Sequence, residues 1–170
     1  MIATPKPVAA NRWRESHGRH FEDFAVGDVY EHRPGRTISE ADNTWFTLLT
    51  MNQHPLHLDA AYAAKSEFGT RLVNSCLTLS IVVGMSVSDI SQKAIGNLGW
   101  TDIKLTAPVF IGDTIYAESE VLSKRVSASR PTQGIVAVRT TGKKADGTLF
   151  MSFNRAVLVP KRGHAVDDLD

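Results

Sequence analysis

Asn52, His54 and His57 crowd around Pro55 in the stretch TLLTMNQHPLHLD, between an apolar helical run and a second, shorter one. An imidazole, with an ordinary pKa of about 6.5, can take up or release a proton at neutral pH. A carboxamide both donates and accepts hydrogen bonds, so it can hold a water molecule in line. Further on, FGTRL leads into a long apolar segment whose helix begins at about Val73-Asn74-Ser75. The unpaired amides and positive dipole end of a helix suit an oxygen that gains negative charge during reaction. Imidazole, oriented water and amide donors together describe addition of water to a carbonyl-conjugated compound, or its removal.

Each of these residues also has a plainer reading. A histidine after a proline is more often a turn residue than a catalyst. Ser39, Asp42 and Asp59 precede helical runs and read as caps, outside any site. His54 and His57 lie three apart, but no neighbouring carboxylate or thiolate completes a metal set, so no metal is expected. Ser80 and Ser86, inside the apolar segment, are expected to bond back to preceding carbonyls. No glycine-flanked nucleophile elbow appears, which argues against a serine hydrolase. From residues alone the chain is a single α+β domain with a candidate histidine site.

The elements that must position this site follow from periodicity. A strand is expected from Val29 to about Arg33 after the turn at Gly27-Asp28. Ser39 then caps a helix whose Trp45, Phe46, Leu48, Leu49 and Met51 make an apolar stripe, ended by Pro55. Asp59 caps a short helix, AAYAAKSEF, that stops at Gly69. From Leu72 to Ile90 apolar residues fall on nearly every face, which predicts a helix buried all round; Cys76 within it reads as packing. WTDIKLTAPVF, DTIYAESEVLSKRVS, GIVAVRTTGKKA and TLFMSFNRAVLV then alternate like strands, most cheaply joined as an antiparallel meander. A long antiparallel sheet curled around one buried helix is the simplest packing of that pattern. Residues 1–20 read as an extended arm pinned by Trp13, residues 21–160 as the domain, and residues 161–170 as a loose tail.

The totals narrow the classes. A chain of 170 residues fits one domain and can bury a sufficient core without a staple. Nineteen basic against eighteen acidic residues give a formal charge of +1, so neither nucleic acid nor an anionic membrane is expected as the main partner. Polar residues interrupt the best membrane candidate, Leu72–Ile90. One cysteine excludes an internal disulfide, and no secretory signal is evident at the start; cytoplasm is the expected location.

The run HPLHLDAAYAAKSEFGTRLVNSCLTLS resembles the hydratase segment of the MaoC-like dehydratases, which include the (R)-specific enoyl-CoA hydratases. Their motif is Asp-x-Asn-Pro-aliphatic-His, then a short helix, Phe-Gly and the long central helix. PVFIGDTIYAESEVL resembles the strand that follows. The likeness covers about residues 21–160. It implies a hot-dog fold, an antiparallel β-sheet wrapped around a long central helix. It also implies a homodimer or dimer of dimers, an acyl-CoA thioester as substrate, and no cofactor beyond that CoA.

The family histidine falls on His57, its Asp on Asn52 and its Asn on His54, while the usual His-Gly at the central helix becomes Asn74-Ser75. Asn52 cannot ionise. One implication is that His57 takes the proton from water while Asn52 orients it and His54 supplies a second imidazole, with the oxyanion contact at Ser75 or a neighbour. The other is that only acyl-CoA binding remains. TMNQHPLH, FGTRLVNS and SRPTQGIV together resemble the branch acting on small branched dicarboxylic acyl groups, such as mesaconyl-CoA or itaconyl-CoA. Arg71 and Arg130 are then candidates for the free carboxylate, because guanidinium binds carboxylate bidentately. Thioester hydrolysis is a further class that uses this fold.

Overall fold

The computed structural model describes residues 5–168. Its framework is a five-stranded antiparallel sheet. In chain order the strands are β3 (Val29–Thr37), β4 (Gly96–Leu105), β5 (Thr114–Val126), β6 (Gln133–Lys144) and β7 (Leu149–Pro160); β1 (Lys6–Ala9) and β2 (Arg12–Arg14) form a separate hairpin. Along β5 and β6 buried residues alternate with more exposed ones, as expected of a sheet with one face on the core. The inner face receives α4 (Ser75–Met85), which makes this the hot-dog arrangement.

The meander holds only for β5, β6 and β7. The spatial order is β3-β5-β6-β7-β4, so β4 crosses to the far edge instead of lying beside β5. Two facts force this. β5 already has β3 on its other flank, with Val29 opposite Glu120. The chain leaving α4 through a π-turn, Val87–Ser91, arrives at β7, where the Ile95 amide donates to the Leu158 carbonyl at 2.8 Å. β3 also runs four residues further than expected, to Thr37.

The core has two apolar clusters with a polar layer between them. Reading inward residues along β5 gives Ala117, Ser119, Val121; along β7, Phe153, Arg155, Val157. His32, Ser119, Thr140 and Arg155 form this layer. His32 Nε2 lies 2.8 Å from Ser119 Oγ, and Ser119 Oγ lies 2.8 Å from Thr140 Oγ1. The π-turn docks onto it: Asp89 meets His32 Nδ1 at 3.1 Å and Arg19 at 2.8 Å, and Arg155 donates to Ser86 Oγ at 3.0 Å. Burial lowers the Arg155 pKa to about 10. Burial alone would raise the Asp89 carboxyl, but Arg19 and His32 outweigh it and hold it below its ordinary value.

Three helices differ from expectation. α4 is not buried all round: Leu77, Thr78 and Val82 face the core, whereas Cys76, Ser80 and Gly84 are exposed. Ser80 and Ser86 do bond back, to the carbonyls of Cys76 and Val83. In α1 (Glu40–Leu49) the buried residues are Asn43 and Thr47, and the stripe residues Trp45, Leu48 and Leu49 point outward. The helix from Asp59 is only Ala60–Ala63, followed by turns to Gly69.

The arm and tail are tied together. Trp13 is 64% exposed and, beyond its place opposite Pro7 in the hairpin, is not buried against the domain. Lys6 instead bonds Asp168 at 3.0 Å, Lys93 pairs with Asp167, and His20 Nε2 meets Asp168 at 2.8 Å. The expected loose tail is thus held through Asp168; residues 1–4 and 169–170 lie outside the described residues. Among the described residues no helix is long and apolar enough to cross a membrane.

Candidate active site

Local backbone chemistry builds the joint. α1 ends before Pro55 acts, in a Schellman closure with Met51 at φ 57°: the Met51 amide donates to the Leu48 carbonyl at 3.1 Å, and the Asn52 amide to the Thr47 carbonyl at 3.0 Å. Asn52 Oδ1 then accepts the His54 amide at 3.0 Å, forming an Asx-turn. Pro55 opens a single helical turn, α2 (Pro55–Leu58), where a missing amide costs nothing. His54 caps that turn, its Nδ1 accepting the Leu56 amide at 3.2 Å.

His57 lies near the end of α2. Its Nδ1 is 3.0 Å from the Leu72 carbonyl. A carbonyl only accepts, so Nδ1 carries a proton, and in the neutral ring Nε2 is the lone-pair acceptor. Nε2 has no partner among the described residues.

The opposite wall is the start of α4. The Val73 amide is fixed to the Val109 carbonyl at 2.9 Å, and the Asn74 side chain accepts the Cys76 amide at 3.0 Å. The carbonyl of Asn74 takes the Leu77 and Thr78 amides. The Ser75 amide, first of the helix, has no hydrogen-bond partner among the described residues. The two walls enclose a cleft of ≈ 430 Å³ whose lining includes His57, Ser75 and Thr78 as polar groups, with Phe68, Leu105 and Phe150 among the apolar ones. Phe150 fits because Gly142 has no side chain; a Cβ there would come within 2.6 Å of the ring.

Of the residues the sequence singled out, the fold brings His57 and Ser75 to one cleft. Asn74 sits behind it, buried, as the cap of α4. Asn52 and His54 adjoin the cleft without lining it; Asn52 Oδ1 and His54 Nδ1 are engaged by backbone amides, so the water-orienting and second-imidazole roles find no support in their placement. The His54 and His57 ring centroids are 5.9 Å apart. Arg71 is paired with Glu40 at 2.7 Å, and Arg130 sits in the β5–β6 turn at the opposite end of the sheet; neither lines the cleft. Among the described residues no group of histidine, cysteine and carboxylate side chains is placed to hold a metal.

Sequence reasoning missed Asn43. This fully buried amide donates to the His57 carbonyl at 3.1 Å and accepts from the Asn74 amide at 2.9 Å.

A sheet wrapped on a central helix, with a histidine and that helix's first residue lining one cleft, defines a hot-dog protein of the MaoC-like class. The family model described as mesaconyl-CoA hydratase matches residues 9–169, and the chain belongs to that family. It is 34% identical over 148 residues to a mesaconyl-CoA hydratase of Cereibacter sphaeroides, covering 87% of this chain and 43% of that protein. It is 31% identical to an (R)-specific enoyl-CoA hydratase of Rhodospirillum rubrum, covering 85% of this chain and 94% of that one. Among solved structures, a Mycobacterium tuberculosis protein described as having a double hotdog fold superposes with a TM-score of 0.80 at 24% identity, over 88% of this chain and 47% of that chain. The chain thus spans less than half the length of the mesaconyl-CoA hydratase it matches.

Proposed function

We propose that the protein is a hydro-lyase that adds water to the double bond of a 2-enoyl-CoA thioester or removes it from the 3-hydroxy product. The observation that carries this reading is the shared cleft of His57, with Nε2 free, and the unpaired Ser75 amide. In the hydration direction His57 Nε2 takes a proton from water as the oxygen bonds to C3. The electron pair of the C2–C3 double bond moves to the thioester oxygen, where the Ser75 amide and the positive end of α4 stabilise the enolate. The proton then passes from His57 to C2, giving the 3-hydroxyacyl thioester and restoring the imidazole. Asn52 and His54 shape the turn that carries His57.

The substrate in this reading is a short branched or dicarboxylic acyl-CoA, mesaconyl-CoA-like, supported by the names of the family and the C. sphaeroides relative. CoA is part of the substrate, and no other cofactor is invoked. A homodimer or dimer of dimers and a reducing, cytoplasmic setting belong to the same reading; the apolar edge of the sheet supports the first and the single unpaired thiol the second.

The test is enoyl-thioester absorbance with mesaconyl-CoA and crotonyl-CoA. His57→Ala is expected to lower turnover by about 10² or more, the usual range for a lost general base. Near-normal turnover by the folded variant overturns the assignment. Among the described residues no carboxylate lines the cleft, which favours a second reading, acyl-CoA binding without turnover. Wild-type protein stabilised by acyl-CoA yet hydrating neither thioester supports it, and release of free thiol would indicate thioester hydrolysis instead.

A further inference from the structure

Both walls of the cleft converge on one side chain that touches neither the cavity nor solvent. Asn43 and Thr47, one turn apart on α1, are each 0% exposed. The Asn43 amide nitrogen donates to the carbonyl of His57 at 3.1 Å and to that of Leu72 at 3.4 Å. The Leu72 carbonyl is the group that fixes the His57 ring through Nδ1. Asn43 Oδ1 accepts the Asn74 amide at 2.9 Å, one residue before Ser75. Thr47 adds a weaker tie, its Oγ1 accepting from the Asn74 side chain at 3.4 Å.

We propose that Asn43 is the positioning residue of the reaction: a single carboxamide that sets the separation and orientation of the His57 imidazole and the Ser75 amide. This rests on the hydro-lyase reading above. The chemistry needs this side chain. Two backbone carbonyls on one side require donors, and a backbone amide on the other requires an acceptor; only a carboxamide presents both on so short a stem. Aspartate keeps the acceptor but sets a carboxylate against two carbonyls. Alanine keeps neither, and leaves three backbone groups to find new partners in a buried space. α1 is otherwise held by its own hydrogen bonds and caps, so Asn43 is presented to both walls from a formed, capped helix. Asn43 acts only through other groups, so its effect must appear in turnover, through His57 and the Ser75 amide, and not in how substrate is held.

The experiment compares Asn43→Asp and Asn43→Ala with wild type, alone and in the His57→Ala background, after circular dichroism shows which variants fold. Since a misplacement of about 1 Å can cost about 10²-fold, each single variant should lose about 10² in kcat with KM within about threefold. In the His57→Ala background the same substitution should remove clearly less than it does alone, because the part exerted through the imidazole is already gone. Retained kcat in a folded variant, or a full second loss on top of His57→Ala, overturns the proposal.

Nitrogen NMR of the His57 ring gives a readout that needs no turnover. Wild type should show the single Nδ1-protonated tautomer, and a folded Asn43→Ala or Asn43→Asp variant a mixture. An unchanged tautomer refutes the positioning role. A wild-type protein without hydratase activity refutes the functional reading on which it rests, so the two failures are told apart.

Discussion

His32, 1% exposed in the polar layer under the sheet, has its imidazole pKa lowered by burial. Its contacts with Asp89 offset that only in part, and the positive charges of Arg155 and Arg19 add to the lowering. The unfolded chain takes up a proton at its ordinary value, about 6.5, before the folded protein does. Stability from this residue is therefore full above that value and is lost progressively as the pH falls towards the lowered folded pKa. Chemical denaturation from pH 7 to pH 5 should show a steeper loss for wild type than for His32→Asn, even if the variant is weaker at pH 7; parallel slopes would show that His32 does not set this dependence. At the same scale, His57 was legible because proline, imidazole and the following helix are neighbours in sequence. Asn43 was not, because its partners are the backbone groups of residues 57, 72 and 74. A mid-helix asparagine looks the same in sequence whether it is buried or solvated.

Among the elements, the ends were harder to read than the interiors. Alternation in DTIYAESEVLSKRVS and GIVAVRTTGKKA declares β5 and β6 because period-two burial is local. The place of β4 depends on which flank of the sheet remains free, a tertiary matter that no window of sequence contains. The end of α1 shows a similar limit. Pro55 looked like the stop, yet the helix closes at Met51, an L-residue in left-handed backbone where glycine is usual. That conformation costs a side chain about 1–2 kcal/mol. Met51 is 84% exposed, so it returns little packing. Met51→Gly is therefore expected to stabilise the protein by up to about 1 kcal/mol, and Met51→Val, whose branched Cβ fits this backbone worse, to destabilise it. Urea midpoints with unchanged slope are the measure; changes of the same sign in both variants would remove the strain argument. Either substitution lies one residue before Asn52, so a change in activity without a change in stability would tie the closure to the cleft.

For the molecule as a whole, the open question is what covers its apolar edge. β4 is an edge strand of ten residues, with Leu98, Trp100, Ile103 and Leu105 exposed; separately, the outward stripe of α1 exposes Trp45, Leu48 and Leu49. A groove between α1 and α4 is lined by Trp45, Phe46, Leu77, Ile81 and Met85 among others. A long apolar edge with unpaired backbone invites another strand. A second copy related by a two-fold axis would place β4 against β4 in antiparallel pairing, as the symmetry of most homodimers allows. Wild type should sediment as a dimer, since an interface of the usual size buries about 1,200–2,000 Å². The double variant Trp100→Lys with Ile103→Lys, which puts on this strand the charges that natural edges carry, should sediment as a folded monomer. A monomeric wild type at about 100 μM, well above the Kd of a stable complex, would sink the pairing. Activity of the monomeric variant then decides a further point. Residues 105–108 line the cleft and continue directly from β4, so pairing at this edge borders the site. Loss of turnover in a folded monomer would mean that the second copy holds this wall in place, whereas full turnover would mean that one chain completes the cleft.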